Sequence, residues 1–235
     1  LHTDPIGRED IDLDPKARAY LLAGAQHVVA VPEQREIYEN CLSPVDYRPH
    51  LRALLTALDA WVSAGIAPPA SRLPRIADGT LVEIDAYLAA AAPVPGRKPT
   101  GYLQPPYLDL GPDFDRTGVA SRQPPVFGRH YGSLVPQVDS SGNDRAGVFA
   151  PEVQVPVGSF LGWNLRREPA GAPEGLARLY GSLIPFAPSA EARRASGDQR
   201  PSLAERYSSK DDYLGRVNAA VQAQVRDRLL LVADV

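Results

Sequence analysis

The residue with the clearest chemical potential is His27, at the end of the segment Gly24–His27. Residues 17–23 form a compact apolar run that is typical of a buried strand, and the glycine that follows predicts a turn. In open α/β sheets, ligands and catalytic side chains gather at the carboxyl ends of strands. An imidazole there can take a proton from a hydroxyl nucleophile and return it to a leaving group. The position predicts a general base at His27; the alternative is an exposed or structural histidine.

A complete active-site motif is absent from the sequence. There is no G-x-S-x-G turn to expose a nucleophilic serine, and no P-loop, G-x-G-x-x-G or H-E-x-x-H pattern. The nearest string to a serine turn is 158–162, in which Ser159 stands one place too early. The histidines lack metal-ligand spacing; they are His2, His27, His50 and His130. The sequence therefore predicts neither a metal site nor a cofactor.

Four other features have simpler structural interpretations. Residues 139–144 alternate oxygen-bearing side chains before a glycine, like a calcium loop, but lack the later bidentate acid and are interpreted as a surface turn. Cys41 is interpreted as a small buried hydrophobic residue rather than a nucleophile. Trp61 is expected in the core. Trp163 could line a pocket or fix an irregular segment in place, and we favour the second interpretation.

The longest predicted helix lies within residues 43–65. Its apolar residues recur with a period of 3.6 and form one stripe; they are Leu51, Leu54, Leu55, Leu58, Trp61 and Val62. The helix begins near Pro49, or a short turn at 44–47 precedes it, and Gly65 is a suitable C-cap. The stripe is too large to be exposed in a soluble monomer, so we expect it to pack against a partner polypeptide.

The rest of the chain is rich in breakers and has shorter predicted elements. Residues 153–160 are predicted as an edge strand because Pro156 cannot donate a ladder hydrogen bond. Residues 81–91 fit either a strand or a helix. Residues 202–205 form a capping box. A final helix is predicted from periodic apolar residues; these are Leu214, Val217, Val221, Val225 and Leu229.

The composition bounds the function. The 235 residues include 24 Pro and 19 Gly, which favours turns and extended connections over long helices. A net charge of −3 leaves no electrostatic footprint for nucleic acid, and no apolar run reaches the length of a membrane span. The single cysteine excludes an intrachain disulfide. Because the chain contains no methionine and starts at Leu1, we expect it to be a processed or truncated piece of a longer protein.

Several stretches resemble the C-terminal half of a large bacterial family of alpha/beta-hydrolase domain proteins. The similarity is spread over nearly the whole chain; the stretches are 2–5, 20–27, 43–49, 51–61, 75–82, 135–139, 162–166 and 184–187. Members of that family look like serine hydrolases. The resemblance implies that His27 is the catalytic histidine, and that the nucleophile and acid precede this half. The chain departs from the family at Val28, where a small residue such as glycine is expected. Asp4 is a weak substitute for the acid and is better interpreted as part of an Asp-Pro turn.

Together these observations predict an α/β fold. Residues 1–66 would supply the last strand and helix of an α/β-hydrolase sheet, and 67–235 a Pro-rich wrapping appendage with C-terminal helices. The expected function is serine-type hydrolysis of a carboxylic ester, with His27 as the general base. The expected partners are a small-molecule ester and an N-terminal segment or companion chain that carries the nucleophilic serine; nucleic acid and cofactors are not expected. The alternatives are a non-catalytic binding or structural module, and a relative that hydrolyses amides or lactones.

Overall fold

The computed structural model describes residues 2–29, 37–96, 98, 104–172, 175–177 and 179–235. Helices and short strands alternate through these residues. The α-helices are α1 Arg48–Ala64, α2 Ile84–Ala90, α3 Phe114–Thr117, α4 Pro151–Gln154, α5 Ala190–Ser196, α6 Leu203–Arg206 and α7 Lys210–Arg226. The strands are β1 Leu22–Ala23, β2 Cys41–Leu42, β3 Leu81–Glu83, β4 Pro106–Asp109, β5 Val126–His130, β6 Leu134–Pro136, β7 Val148–Phe149, β8 Gly158–Leu161, β9 Asn164–Leu165, β10 Leu176–Ala177 and β11 Ser182–Pro185.

The strands form small sheets that are mostly antiparallel. The largest among the described residues has the order β2-β11-β8, with Ser182 opposite Leu42 on one side and Leu161 on the other. The other sheets in the described ranges are two-stranded; β1 and β7 pair in parallel, and Tyr20 and Arg72 form an isolated parallel bridge. The predicted mixture of helices and strands is confirmed. The strands are short because prolines and glycines interrupt the ladders.

The predicted strand at 17–23 is confirmed only at its end. Residues 15 and 16 form a turn, and the Arg18 guanidinium donates to the carbonyls of Pro15 and Ala17. The strand proper is β1, which pairs with β7 through Leu22 opposite Val148. A local turn that satisfies these carbonyls competes with a sheet ladder, and it confines the strand to two residues.

Helix α1 has the predicted ends. It begins at Arg48, immediately before Pro49, and closes at Gly65, whose φ of 69° lets its N–H reach the Trp61 carbonyl. Of the two predicted starts, the one near Pro49 is correct, because Pro is tolerated in the first turn where N–H groups have no helical acceptor.

The buried face of α1 is not its leucine stripe. His50, Ala53 and Ala57 are buried, and the His50 ring contacts the Leu229 carbonyl at 2.7 Å. Four stripe residues are exposed by between 47% and 81%; they are Leu51, Leu55, Leu58 and Val62. The core placement of Trp61 is wrong: the residue is half-buried, with the Arg18 guanidinium 4.9 Å from its ring centre.

Two small apolar clusters support the middle of the chain. One is formed by Val45, Ala150, Val153 and Phe160, and the other by Tyr87, Ala91 and Val138. The ambiguous residues 81–91 divide into β3 followed by α2, so both predicted structures occur in turn.

The predictions for the later elements have mixed outcomes. The edge strand predicted at 153–160 is wrong in its first half, because Pro151 starts α4, and right in its second half, where β8 is an edge strand. The capping box at Ser202 and Glu205 is confirmed at the start of α6. The final helix is confirmed as α7, although Leu229 lies beyond its end and is fully buried.

Candidate active site

The backbone of the Gly24–His27 turn directly follows β1. Gly24 has a φ of +64°, and a Cβ at this position would lie 3.1 Å from the Phe160 Cβ and 3.2 Å from its carbonyl oxygen. Both the left-handed conformation and the close contact require glycine. The Gly24 N–H donates to the Asp144 carboxylate over 2.7 Å, which joins the turn to the segment before β7.

Three further hydrogen bonds hold the rest of the turn. The buried Gln26 side chain donates from Nε2 to the Val45 carbonyl at 3.0 Å. The Tyr47 hydroxyl donates to the His27 carbonyl at 2.7 Å. The Val28 N–H donates to the Leu179 carbonyl at 3.0 Å. Val28, where a smaller residue was expected, is 37% exposed and therefore has room for its branched side chain.

His27 itself is exposed, and its imidazole makes no hydrogen bond to another described residue. Its backbone is held by neighbours while its ring keeps both nitrogens available. An imidazole in this state can exchange protons with an external hydroxyl group, which is what a general base requires.

The Asp144 carboxyl group is hydrogen-bonded directly to this turn, through the Gly24 N–H. Burial raises its pKa to about 6; the Gly24 N–H opposes this, and the neighbouring Asp139 carboxylate adds to it. Sequence reasoning noticed Asp144 only as the last residue of a resemblance to a calcium loop. A signal for its true role would have required the contact with Gly24, which is 120 positions away.

An apolar cavity of about 310 Å³ opens beside the turn. Leu22 of β1 and Ala25 of the turn form one part of its wall, and Phe160 and Trp163 form another. The Trp163 indole N–H donates to the Tyr87 hydroxyl at 3.0 Å. Trp163 therefore fixes an irregular segment, as predicted, and also lines a pocket.

Comparison with known proteins identifies the chain. The family model described as an alpha/beta hydrolase domain matches residues 3–235, almost the full sequence. The chain belongs to the alpha/beta hydrolase domain family. Neither a curated protein nor a solved structure matches it. Membership of this family supports hydrolase activity in general.

The serine from the near-match to a serine turn is engaged elsewhere in the fold. All 14 serines lie in the described part of the chain, and none is hydrogen-bonded to His27. Ser159, from the near-match to a serine turn, is fully buried, donates to the Ser141 carbonyl and accepts from Arg200 at 2.7 Å. A side chain held in this way is structural.

Asp4 is confirmed as part of a turn. Its carboxylate accepts from the backbone N–H groups of Ile6, Arg8 and Glu9. The bond from the Glu9 N–H is the largest effect, and together these bonds hold the pKa of Asp4 below its usual value. The acceptor atoms are used locally and none is directed to a histidine.

The supposed calcium loop at 139–144 is only partly a surface turn. Asp139 and Ser140 are exposed, but Ser141, Gly142 and Asn143 are buried against β8. The Asn143 amide bonds the Gly158 carbonyl and the Phe160 N–H, and the Asp139 carboxylate accepts from two N–H groups of the loop itself. No group of three or more His, Cys, Asp or Glu suited to a metal ion occurs among the described residues.

The remaining candidates have structural positions. His50 is buried in α1, and the His130 ring contacts the Gln104 carbonyl at 2.7 Å. Cys41 is half-buried in β2, opposite Leu183, so the prediction of a small buried hydrophobic residue is right only in part. Within the described ranges, no helix has the length and apolar character needed to cross a bilayer.

Proposed function

We propose that this chain is part of a serine-type hydrolase of carboxylic esters and that His27 is its general base. The observation that carries the proposal is a turn with a fixed backbone and a free imidazole, directly after a parallel strand, in a member of the alpha/beta hydrolase domain family. The neutral ring takes the proton of the serine hydroxyl as it attacks the ester carbonyl. The resulting imidazolium then protonates the departing alcohol.

The nucleophilic serine and the acid belong, in this proposal, to a preceding segment or a companion chain. Two features support an additional packed layer. Strands β1 and β7 form a sheet of only two strands among the described residues, beside the isolated bridge between Tyr20 and Arg72, and so small a sheet needs further packing or strands for stability. The exposed stripe of α1, at Leu51, Leu55, Leu58 and Val62, is an apolar face of the kind that a sheet covers.

In the same proposal, residues 1–66 contribute the last strand and helix of the hydrolase sheet, and residues 67–235 wrap around it. Strands from the later stretch pair with strands of the earlier one: β7 with β1, and β11 with β2. Such pairing is what a wrapping segment would make. The density of prolines between 93 and 125 favours extended connections there.

The decisive experiment replaces His27 in the complete enzyme, meaning this chain together with the segment that carries the serine. His27→Ala should lower ester turnover by several orders of magnitude, because the triad members act as a unit. The matched control is His130→Ala, which also removes an exposed histidine and should leave turnover unchanged.

Normal turnover in the His27→Ala enzyme would refute the assignment. Esters, amides and lactones with the same acyl group should be compared in parallel, because the fold does not determine the bond attacked. A serine-directed fluorophosphonate should label a residue outside these 235. Labelling of one of the chain's own serines, mapped by peptide mass spectrometry, would refute the separate location of the nucleophile.

A further inference from the structure

The cavity beside the His27 turn combines apolar walls with two polar groups. Its volume of about 310 Å³ is about twice the roughly 150 Å³ of an apolar protein cavity that binds benzene. Ala25, in its wall, is two residues from His27. A group that filled the cavity would therefore contact the turn that carries the proposed general base.

One polar group is the Tyr87 hydroxyl. Tyr87 is 8% exposed and lines the cavity, and its oxygen accepts from the Trp163 N–H. Its own O–H finds no acceptor among the described residues. Burial raises the pKa of Tyr87, so this proton stays in place at neutral pH. A buried donor without an acceptor is costly, and a ligand oxygen would satisfy it.

The second polar group is the Asp144 carboxyl. Of the described residues that line the cavity, Asp144 is the one that carries a charge at neutral pH. Its oxygen Oδ2 accepts from the Gly24 N–H. With a carboxylate in the wall and no lining cation among these residues, an anionic ligand would be repelled.

We propose that this cavity binds the apolar part of the substrate: a neutral group of two-ring size that presents one oxygen to the Tyr87 hydroxyl. This inference rests on the proposed function, because it places the bulky portion of the ester against the turn that carries His27. It predicts a preference for naphthyl-sized neutral esters over short aliphatic ones and over esters with a second, ionised carboxyl group.

The test uses calorimetric titration of the complete enzyme with 2-naphthol and with 2-naphthoate at neutral pH. The neutral compound should bind saturably, and the anion about tenfold or more weakly, a ratio that charge repulsion can supply. Asp144→Asn, which preserves shape, should reduce this discrimination. Equal binding of the two compounds by the parent enzyme, or no saturable binding of 2-naphthol, would overturn the proposal.

Two further variants locate the binding. Ile84→Trp fills the cavity from the first turn of α2 and should weaken 2-naphthol binding by about tenfold or more; Ala89→Trp, on the exposed side of the same helix, should not. Tyr87→Phe should weaken it roughly 3- to 10-fold, the value of one hydrogen bond. A cooperative melt is required of each variant. If Ile84→Trp does not fold, the result for Tyr87→Phe decides, and unchanged affinity there contradicts the proposal.

Failure here is distinguishable from failure of the proposed function. Binding of 2-naphthol is measured without turnover, and the His27→Ala experiment measures turnover without reference to the cavity. If 2-naphthol binds specifically but the His27→Ala enzyme turns over normally, the cavity is a ligand site and His27 is not the general base. If 2-naphthol does not bind but His27→Ala abolishes turnover, His27 is the general base and the cavity has no part in substrate recognition.

Discussion

The Gly24–His27 turn and the cluster around Ser159 and Arg200 both hold residue types that catalyse reactions, but they use them in opposite ways. In the turn, the hydrogen bonds fix the backbone and leave the imidazole free. In the cluster, the polar atoms of the side chains are occupied by hydrogen bonds within the protein. Arg200 is 1% exposed and places all five of its N–H donors on Asp198, Ser159 and two carbonyls. Chemical availability, more than residue type, separates a candidate site from a structural one.

The largest effect should come from breaking the cluster. Arg200→Met leaves the Asp198 carboxylate buried without its partner, which should lower the free energy of unfolding by about 3–5 kcal/mol. The matched control is Arg48→Met, whose pair with Asp46 is mostly exposed and should contribute about 0–1 kcal/mol. Denaturant unfolding of both variants measures the difference. Equal losses would mean that the cluster is not the structural element described here.

The carboxyl beneath the turn should give the next largest effect. Because the pKa of Asp144 is raised to about 6 in the fold and is near 3.8 without it, the folded state binds more protons between these values, and stability should fall as the pH rises from 4 to 6. The loss corresponds to roughly 3 kcal/mol. Asp144→Asn mimics the neutral acid and should be more stable than the parent above pH 6, with the gain vanishing below pH 4. A gain that is the same at every pH would contradict this cause.

Local signals in the sequence predict much of this molecule, and distant contacts explain the remainder. The ends of α1 and the capping box of α6 depend on residues a few positions apart, so they could be predicted. Strand β1 is only two residues long and exists through its partner β7, more than 120 positions away. The buried face of α1 consists of alanines and His50 because the C-terminal segment at Leu229 lies against it, a contact that periodicity does not reveal.

The candidate site divides in the same way. A strand followed by a glycine turn predicts where His27 lies, and β1 and the turn are found there; its catalytic role stays a prediction. Asp144 and the cavity could not be predicted, since Gly24, Tyr87 and Trp163 come together only in the folded chain. The contacts that hold the turn in place depend on tertiary structure, whereas the turn conformation follows from the positive φ that Gly24 allows.

Replacing His50 or His27 by alanine should change the free energy of unfolding less, and by different amounts in the two variants. His50→Ala removes a buried ring and its contact with Leu229, and should cost about 1–3 kcal/mol of unfolding free energy. His27→Ala removes an exposed ring and should change stability by no more than about 0.5 kcal/mol. Thermal unfolding of the two variants side by side provides the measurement. A large loss in His27→Ala would show that its ring supports the fold, and would weaken its assignment as a free base.

The smallest effect separates backbone strain from packing in the turn. Gly24 and Gly65 have similar φ values, +64° and +69°, so replacing either by alanine incurs the same left-handed penalty of about 1–2 kcal/mol. A Cβ at Gly65 meets nothing within 4 Å, whereas one at Gly24 meets Phe160. Gly24→Ala should therefore lose about 1 kcal/mol more than Gly65→Ala, because Phe160 has to move. The difference in denaturant unfolding midpoints, converted with a common m-value, measures it. If the two variants lose the same free energy of unfolding, Phe160 can move aside without destabilising the fold. The turn is then held by its hydrogen bonds rather than by its contact with Phe160.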